Sequence, residues 1–436
     1  MRTIKQPNKK VAAFIGTKHP SSSTGWRLSL WTVPFEEDGV YLLKHTFSGE
    51  TVSLNAEEFA DPLSIPELRE RRFVVPSDYD EAAKYTEILG LMKLMQRESS
   101  GIMTYTILPT TACNARCTYC YEEGFAVSTM KPDTAKRLVD YICETCGSAV
   151  TLSWFGGEPL VGAETITYVC TELEKRGVKF RSRMVTNASL FDDVLVHRAK
   201  QVWKLTSVQV SLDGDRRDYA ARKRYTDPVR FNYDKVIQSV HMLSDEGISV
   251  NLRVNFDYEN IDRLQGFLDD MNREFGARKN VSIYLSPLYQ EMKRDTIIDL
   301  ERRMYELDGY IRRLGINFNN RGKIRTSFRM NFCMAGALDR SIVIDPEGRF
   351  SDCEHLPEAH TWGNIFDGIT DRALLDRLSA PHDVDEGCKL CPYLPQCTPF
   401  YRHGCPCWFA KCREHMALKN EYELRLLADI ERNGSS

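Results

Sequence analysis

At 436 residues the chain is long enough for two or three domains. A net charge of -3, with acidic and basic residues evenly spread, gives no nucleic-acid signature, and the start MRTIKQPNKKVAAFIG holds an apolar run too brief and too charged in its surroundings for a secretory signal or a membrane span. Fourteen cysteines without an export signal point to a reducing cytoplasm.

The first hundred residues read as a small module of their own. Residues 26 to 33 and 40 to 47 pair as strands across a turn that ends in Asp38-Gly39, a good hairpin signal. Asn55 to Phe59 starts a capped helix, residues 65 to 71 form a second short one, and Ser77 with Glu81 begins a long helix through Met95. Strands followed by three helices suit a winged-helix-like peptide-recognition module over residues 1–98, with a strand edge to pair with an extended peptide.

From residue 103 onward, β-rich runs alternate with amphipathic helical stretches. Residues 103 to 108, 150 to 155, 180 to 186, 207 to 212, 248 to 256 and 281 to 285 read as strands, with helices near 133 to 145, 164 to 176, 190 to 200, 229 to 246, 260 to 275 and 295 to 314. Six β/α units predict an α/β fold: a partial (β/α)6 TIM-type barrel over residues 99–318 with ligands at the carboxyl ends of parallel strands. Directly after the first strand come Cys113, Cys117 and Cys120, with no histidine within twenty residues. Three thiolates supply one ligand too few for a four-iron cubane and leave one iron open, whereas a zinc knuckle closes its shell with a fourth residue. Tyr119 completes a CxxxCxΦC pattern, and with it the sequence resembles the radical S-adenosylmethionine (AdoMet) enzymes, in which the open iron binds the amino and carboxylate groups of AdoMet.

That resemblance gives meaning to the later strand ends. Gly156-Gly157-Glu158-Pro159 follows the second strand; in the resembled family this turn lies against the AdoMet amino group, its glycines permitting close approach and its glutamate supplying charge. Asn187 sits in a turn similar to the family's TNG, with Ala188 in place of glycine. Ser211 is a candidate ribose or carboxylate contact and Asp213 a nearby polar residue; their alternative reading is ordinary turn chemistry. Arg222 and Arg253 stand where related enzymes carry an arginine, to pair with a carboxylate of AdoMet or substrate or to make a surface ion pair.

A second cysteine pattern fills the C-terminal third: Cys333, Cys353, Cys388, Cys391, Cys397, Cys405, Cys407 and Cys412, enough to close two clusters with four thiolates each. It resembles the SPASM domain, here residues 319–436, which holds two auxiliary [4Fe-4S] clusters. The resemblance assigns Cys388, Cys391, Cys397 and Cys412 to the distal cluster and Cys333, Cys353 and Cys405 to the nearer one. Seven residues rather than three follow Cys397, so the next ligand is Cys405 or Cys407, and no cysteine between Cys333 and Cys353 completes the nearer cluster. Either Cys407 closes that shell or one iron is open. Cys143, Cys146 and Cys170 fall on helices as small buried hydrophobes, the first two sharing a face.

The resemblance implies a cytoplasmic peptide maturase with three [4Fe-4S] clusters and AdoMet. Its 5'-deoxyadenosyl radical would abstract hydrogen from a ribosomally made precursor peptide carrying a leader, forming a C–C or thioether crosslink, with a flavodoxin- or ferredoxin-type electron donor. Formylglycine formation by a sulfatase-maturating type of enzyme is the alternative, although those relatives reach the first motif nearer their N-terminus. A nonenzymatic zinc or cluster scaffold is the alternative of another class.

Overall fold

The structure, a computed structural model, describes residues 1–15, 25–97, 101–288, 294–315, 340–354, 361–379, 386–396 and 412–434. In chain order it begins with β1 (Arg2–Lys5), α1 (Lys9–Ile15), β2 (Trp26–Leu28), β3 (Thr32–Glu37), β4 (Val40–His45) and β5 (Thr51–Leu54). Asp38 and Gly39 have φ of 49° and 75°, the positive pair that a two-residue hairpin turn requires, and they join β3 to β4 at Glu37↔Val40. The hairpin is shorter than its expected reach. After Leu28 the chain leaves the sheet direction, and β2 pairs instead with β6 (Val74–Pro76). The larger sheet runs β1-β5-β4-β3, leaving β1 and β3 as edges. Asn55 caps α2 (Ala56–Ala60) with a full capping box; α3 (Pro66–Glu70) starts on a proline. The long helix α4 (Glu81–Arg97) is started by Asp80 rather than Ser77: the Asp80 carboxylate accepts from Ala83 N at 2.9 Å.

His45, at the end of β4, is fully buried beside Trp31 and Phe73, its Nδ1 accepting from Ser48 N at 3.1 Å. Burial, reinforced by the Arg72 charge, pushes its pKa down to about 3 from the ordinary 6.5. Between those values the unfolded chain holds a proton that the fold excludes, so stability falls as pH drops through this window. His45→Asn keeps an acceptor for the Ser48 N–H and removes the titration. Its urea midpoint should therefore fall less steeply than the wild type's between pH 6.5 and about 4; parallel slopes would show that another group governs the acid limb.

The second part of the chain is built on β7 (Ile102–Ile107), α5 (Pro132–Thr145), β8 (Cys146–Trp154), α6 (Ala163–Lys175), β9 (Phe180–Thr186), α7 (Asp193–Gln201), β10 (Leu205–Ser211), α8 (Arg216–Lys223), α9 (Tyr233–Asp245), β11 (Ser249–Phe256), α10 (Leu264–Phe275), β12 (Val281–Pro287) and α11 (Arg294–Leu314). Strands β7 to β12 lie in sequence order and all pair parallel, as expected for six β/α units. Cys146 opens β8 instead of ending α5, which removes the shared helical face expected for Cys143 and Cys146. Beyond β7 the sheet continues with β13 (Ser341–Ile344), parallel to it, and then β14 (Arg349–Ser351), β15 (Gly363–Asn364) and β16 (Gly368–Ile369), all antiparallel; α12 (Arg372–Ser379) follows.

Alternation along the strands separates two faces. Tyr105, Leu152, Met184, Val208, Leu252 and Ile283 share one, buried with apolar residues of the helices in a single core. In-register neighbours on the other are Thr104, Thr151, Arg181, Gln209, Asn251 and Arg253. A closed barrel fills its interior with branched apolar side chains; this face is polar, and Arg181 and Arg183 on it are exposed.

The last elements are α13 (Glu386–Lys389) and α14 (Cys412–Gly434). They do not form a separate third segment with residues 340–379. Described residues 386–396 and 412–434 belong to one compact unit with residues 1–15 and 25–97, and residues 101–288, 294–315, 340–354 and 361–379 form the other. Within the first unit, Glu423 of α14 accepts from Lys44 of β4 at 2.6 Å and from Lys5 of β1 at 2.5 Å. Leu394 is buried with Val11, Trp31 and Tyr85, and Cys388 and Cys391 pack at the border of that cluster.

Candidate active site

The segment after β7 is held by its backbone before any side chain contributes. Thr110 bridges to Thr129, closing the base of the loop that carries the three cysteines. The Gly156-Gly157 turn after β8 lies directly against the approach to that loop: Gly157 N donates to Thr110 O at 3.2 Å and Glu158 N to Ala112 O at 2.9 Å. A Cβ on Gly156 would stand 2.3 Å from Thr110 O, and one on Gly157 2.4 Å from Thr111 O and 2.5 Å from Ala112 O. The two glycines are thus required by the contact between two protein backbones.

Glu158 is fully buried, and its carboxylate accepts from Leu160 N at 3.1 Å, Thr186 Oγ1 at 2.6 Å and Asn187 N at 2.8 Å. Burial pushes its pKa upward against these hydrogen bonds. Its partners Thr186 and Asn187 lie at the end of β9, so it joins two strand ends. Asn187 continues the connection: its Nδ2 donates to Asn114 Oδ1 at 2.9 Å, and Asn114 Nδ2 donates to Ser189 Oγ at 2.9 Å. Asn114 is the residue after Cys113, so the β9 turn is tied into the cysteine loop. Ala188 takes φ of 61° there, the left-handed conformation that explains why glycine suits this position.

A clasp from the other side comes from the end of α8. Arg116 N donates to Lys223 O at 3.1 Å, Thr118 N to Arg222 O at 2.9 Å and Thr226 N to Asn114 O at 2.9 Å, while Ala115 bridges antiparallel to Tyr225. Beneath this clasp Tyr119 donates its hydroxyl proton to Asp213. Asn255 Nδ2 donates to the other Asp213 oxygen at 2.8 Å. Lys223 Nζ reaches Tyr119 Oη at 2.8 Å, Ser211 Oγ at 2.7 Å and Asp213 Oδ2 at 3.2 Å. Burial alone would depress the Lys223 pKa, but Asp213 and Tyr119 outweigh it and hold it well above the ordinary lysine value. Sequence reasoning missed Lys223 because it lies in a run of charged residues, 216 to 224, that reads as solvated surface.

The two candidate arginines differ. Arg222 is buried and paired with Asp257, with Glu259 at 3.5 Å, so the structure spends it on its own fold. Arg253, the cross-strand neighbour of Ser211, donates from Nε to Ser286 Oγ at 3.1 Å and has no carboxylate partner among the described residues.

Cys113 and Cys117 are partly covered and Cys120 is exposed. Burial, with Glu158 nearby, pushes the Cys113 thiol up to about 12, and burial also raises Cys120. Thiolates in such surroundings call for a compensating cation, which bound iron supplies. Cys113 Sγ already accepts from Ala115 N at 3.4 Å. Among the described residues no three His, Cys, Asp or Glu side chains are grouped to hold a metal ion; three thiols carried on one loop are the donor set of a four-iron cluster with one open iron. The donor set fits. Cys353 follows β14, and it and Glu354 act electrostatically on Tyr121, next to Cys120. Cys388 and Cys391 lie in a tight turn, with Cys391 N donating to Cys388 O at 3.0 Å. Cys333, Cys397, Cys405 and Cys407, and the side chain of Cys412, lie outside the described residues.

Residues 107–271 match the radical SAM superfamily. The chain is 27% identical over 168 residues to an Fe-coproporphyrin III synthase of Methanosarcina barkeri, covering 38% of this chain and 40% of that protein. It is 23% identical over 317 residues to the antilisterial bacteriocin subtilosin biosynthesis protein AlbA of Bacillus subtilis, covering 68% and 66%. The chain thus spans about 40% of the length of the first relative and 66% of the second. Its fold is similar to that of anSMEcpe with bound AdoMet and a Cp18Cys peptide, at a TM-score of 0.58 and 15% identity, covering 76% of this chain and 99% of that one. No helix among the described residues is long and apolar enough to cross a membrane. The three-cysteine loop, the turns clasping it and the parallel sheet beneath belong together: residues 107–271 are a radical SAM domain.

Proposed function

We propose that the chain is a radical SAM peptide maturase, which crosslinks a ribosomally made precursor peptide through a C–C or thioether bond. The observation that carries the reading is the cysteine loop itself, held at the carboxyl ends of β7 to β10 beside an open polar sheet face. Cys113, Cys117 and Cys120 would hold a [4Fe-4S] cluster, which together with AdoMet supplies 5'-deoxyadenosyl radical chemistry. Arg253, with no carboxylate partner among the described residues, would receive the AdoMet carboxylate, and Ser211, whose oxygen already accepts from Lys223, keeps its own proton to donate to a ribose or carboxylate oxygen. Glu158 and Asn187 would hold the strand ends in register around the cofactor. The exposed Arg181 and Arg183 on the polar face give a peptide room and positive charge.

Two further features support a peptide substrate. Among the described residues β3 is an edge strand, to whose outer side an extended leader could add. Similarity to AlbA, named for biosynthesis of a bacteriocin, extends over 317 residues and so beyond the radical SAM domain. The C-terminal cysteines, Cys353, Cys388 and Cys391 among them, are read as SPASM ligands for two auxiliary clusters, reduced in a cytoplasmic setting by a flavodoxin- or ferredoxin-type donor. Iron and sulfide are expected at about twelve of each per chain after anaerobic reconstitution, falling to about eight when Cys113, Cys117 and Cys120 are all changed to Ala. That variant should make no 5'-deoxyadenosine from AdoMet and dithionite. The precursor peptide, coexpressed with the wild type, should lose two hydrogens per crosslink by mass spectrometry. Zinc without iron in the wild type would overturn the reading.

A further inference from the structure

Lys223 is 2% exposed, yet it sits on the last turn of a short, charged helix. An ammonium has three protons to place, and here three acceptors surround it: Tyr119 Oη, Ser211 Oγ and Asp213 Oδ2. Its Nζ also lies 5.4 Å from the centre of the Tyr119 ring. A lysine so occupied has no proton-accepting or nucleophilic lone pair to offer a substrate. Its partners are informative: Tyr119 directly precedes Cys120, while Ser211 ends β10 and Asp213 follows it. The backbone on either side, Arg222 O and Lys223 O, receives the Thr118 and Arg116 amides of the cysteine loop. The ammonium also acts on the cysteines. Its charge bears on Cys120, and Cys117 in turn bears on Lys223.

We infer that Lys223 is a positioning residue for the radical SAM cluster: it anchors the Tyr119–Cys120 end of the cysteine loop to the end of β10 and sets a fixed positive charge beside the thiolates, which eases reduction of the cluster. The inference rests on the proposed radical SAM chemistry of this site. Adding an electron makes a cluster more negative, and a cation in a low-dielectric surrounding stabilises that state. The Asp213 carboxylate, 3.2 Å from the ammonium, fixes it in place.

The test uses the full chain, purified and reconstituted anaerobically as wild type, Lys223→Met, Lys223→Arg and Tyr119→Phe. Iron is measured first, then the midpoint potential, by EPR-monitored titration, of the cluster whose signal changes when AdoMet is added. Lys223→Met should show a tenfold fall in the ratio of reduced to oxidised cluster at a fixed donor potential, about 59 mV for one electron. Lys223→Arg and Tyr119→Phe, which keep the charge, should stay near the wild-type potential, and Tyr119→Phe should melt lower in the metal-free state because the anchor is lost. A wild-type potential in iron-loaded Lys223→Met overturns the electrostatic role, as does iron-loaded Lys223→Arg shifted as far as Lys223→Met. Equal melting of metal-free wild type, Lys223→Met and Tyr119→Phe overturns the anchoring role. A wild type without any AdoMet-responsive cluster refutes the proposed function instead, a result the metal-free melting keeps distinct.

Discussion

Gly157→Ala should abolish loading of the three-cysteine site while leaving the rest of the chain folded. The added methyl would stand 2.4 Å from Thr111 O and 2.5 Å from Ala112 O, both backbone atoms on the final approach to Cys113. Neither side can yield cheaply, because Gly157 N and Glu158 N are bonded to Thr110 O and Ala112 O across the same contact. Moving the turn away breaks those bonds and pulls Glu158 from Thr186 and Asn187; moving the loop displaces Cys113. Overpacking of this kind costs about 3 kcal/mol. Iron per chain should fall by about four, one cluster's worth, and the metal-free melting temperature should drop. Gly90→Ala is the control: it lies inside α4, a Cβ there meets nothing within 4 Å, and alanine at such a site stabilises a helix by about 0.5–1 kcal/mol. Normal iron loading in Gly157→Ala would mean that the two backbones are not in the contact described.

Much of this site was legible in the sequence because its signals are local. The six strands follow from runs of β-branched and apolar residues, and Gly-Gly or Ser-Leu-Asp-Gly at a strand's end marks a place where backbone or ligand comes close. What escaped was set by long-range packing. The expected strand through residues 26 to 33 failed because pairing partners are chosen globally: β2 found β6, which lies more than forty residues further on. Cys146 left its helix because β8 begins earlier than its apolar run suggests. Helix α8 has almost no apolar periodicity to reveal it, being RRDYAARK, and it forms because Asp215 caps it, accepting from Asp218 N at 2.9 Å, and because Tyr219 anchors it in the core. Arg222 illustrates the same limit. Its position was suggestive, but only three-dimensional proximity to Asp257 decides that its charge is already matched. The grouping of residues 386–396 and 412–434 with the N-terminal unit likewise depends on contacts such as Lys44–Glu423, between residues 379 apart in sequence.

Asp213→Ala should be the most destabilising single change in the site. The substitution leaves the Lys223 ammonium buried with two neutral oxygens and no counter-charge, takes the acceptor from Tyr119, and leaves Asn255 Nδ2 only its longer bond to Tyr119 Oη at 3.3 Å. Breaking one side of a buried ion pair costs about 3–5 kcal/mol, since the surviving charge has no compensation. The pair itself need not add that much to stability, because replacing both partners by apolar groups removes both desolvation penalties together. Asp213→Ala/Lys223→Met is therefore expected to unfold at a higher urea concentration than Asp213→Ala alone, with a favourable coupling of about 1–3 kcal/mol in the cycle. A double variant no more stable than the single one would show that Asp213 acts chiefly through Tyr119 and Asn255. Recovery would separate two roles the geometry combines: the fold tolerates an apolar pair at this place, and the charge is retained for what it does to the cysteine loop above it. The double variant should then melt well, and because it loses the Asp213 carboxylate together with the ammonium, its cluster, once loaded, should be easier to reduce than that of Lys223→Met.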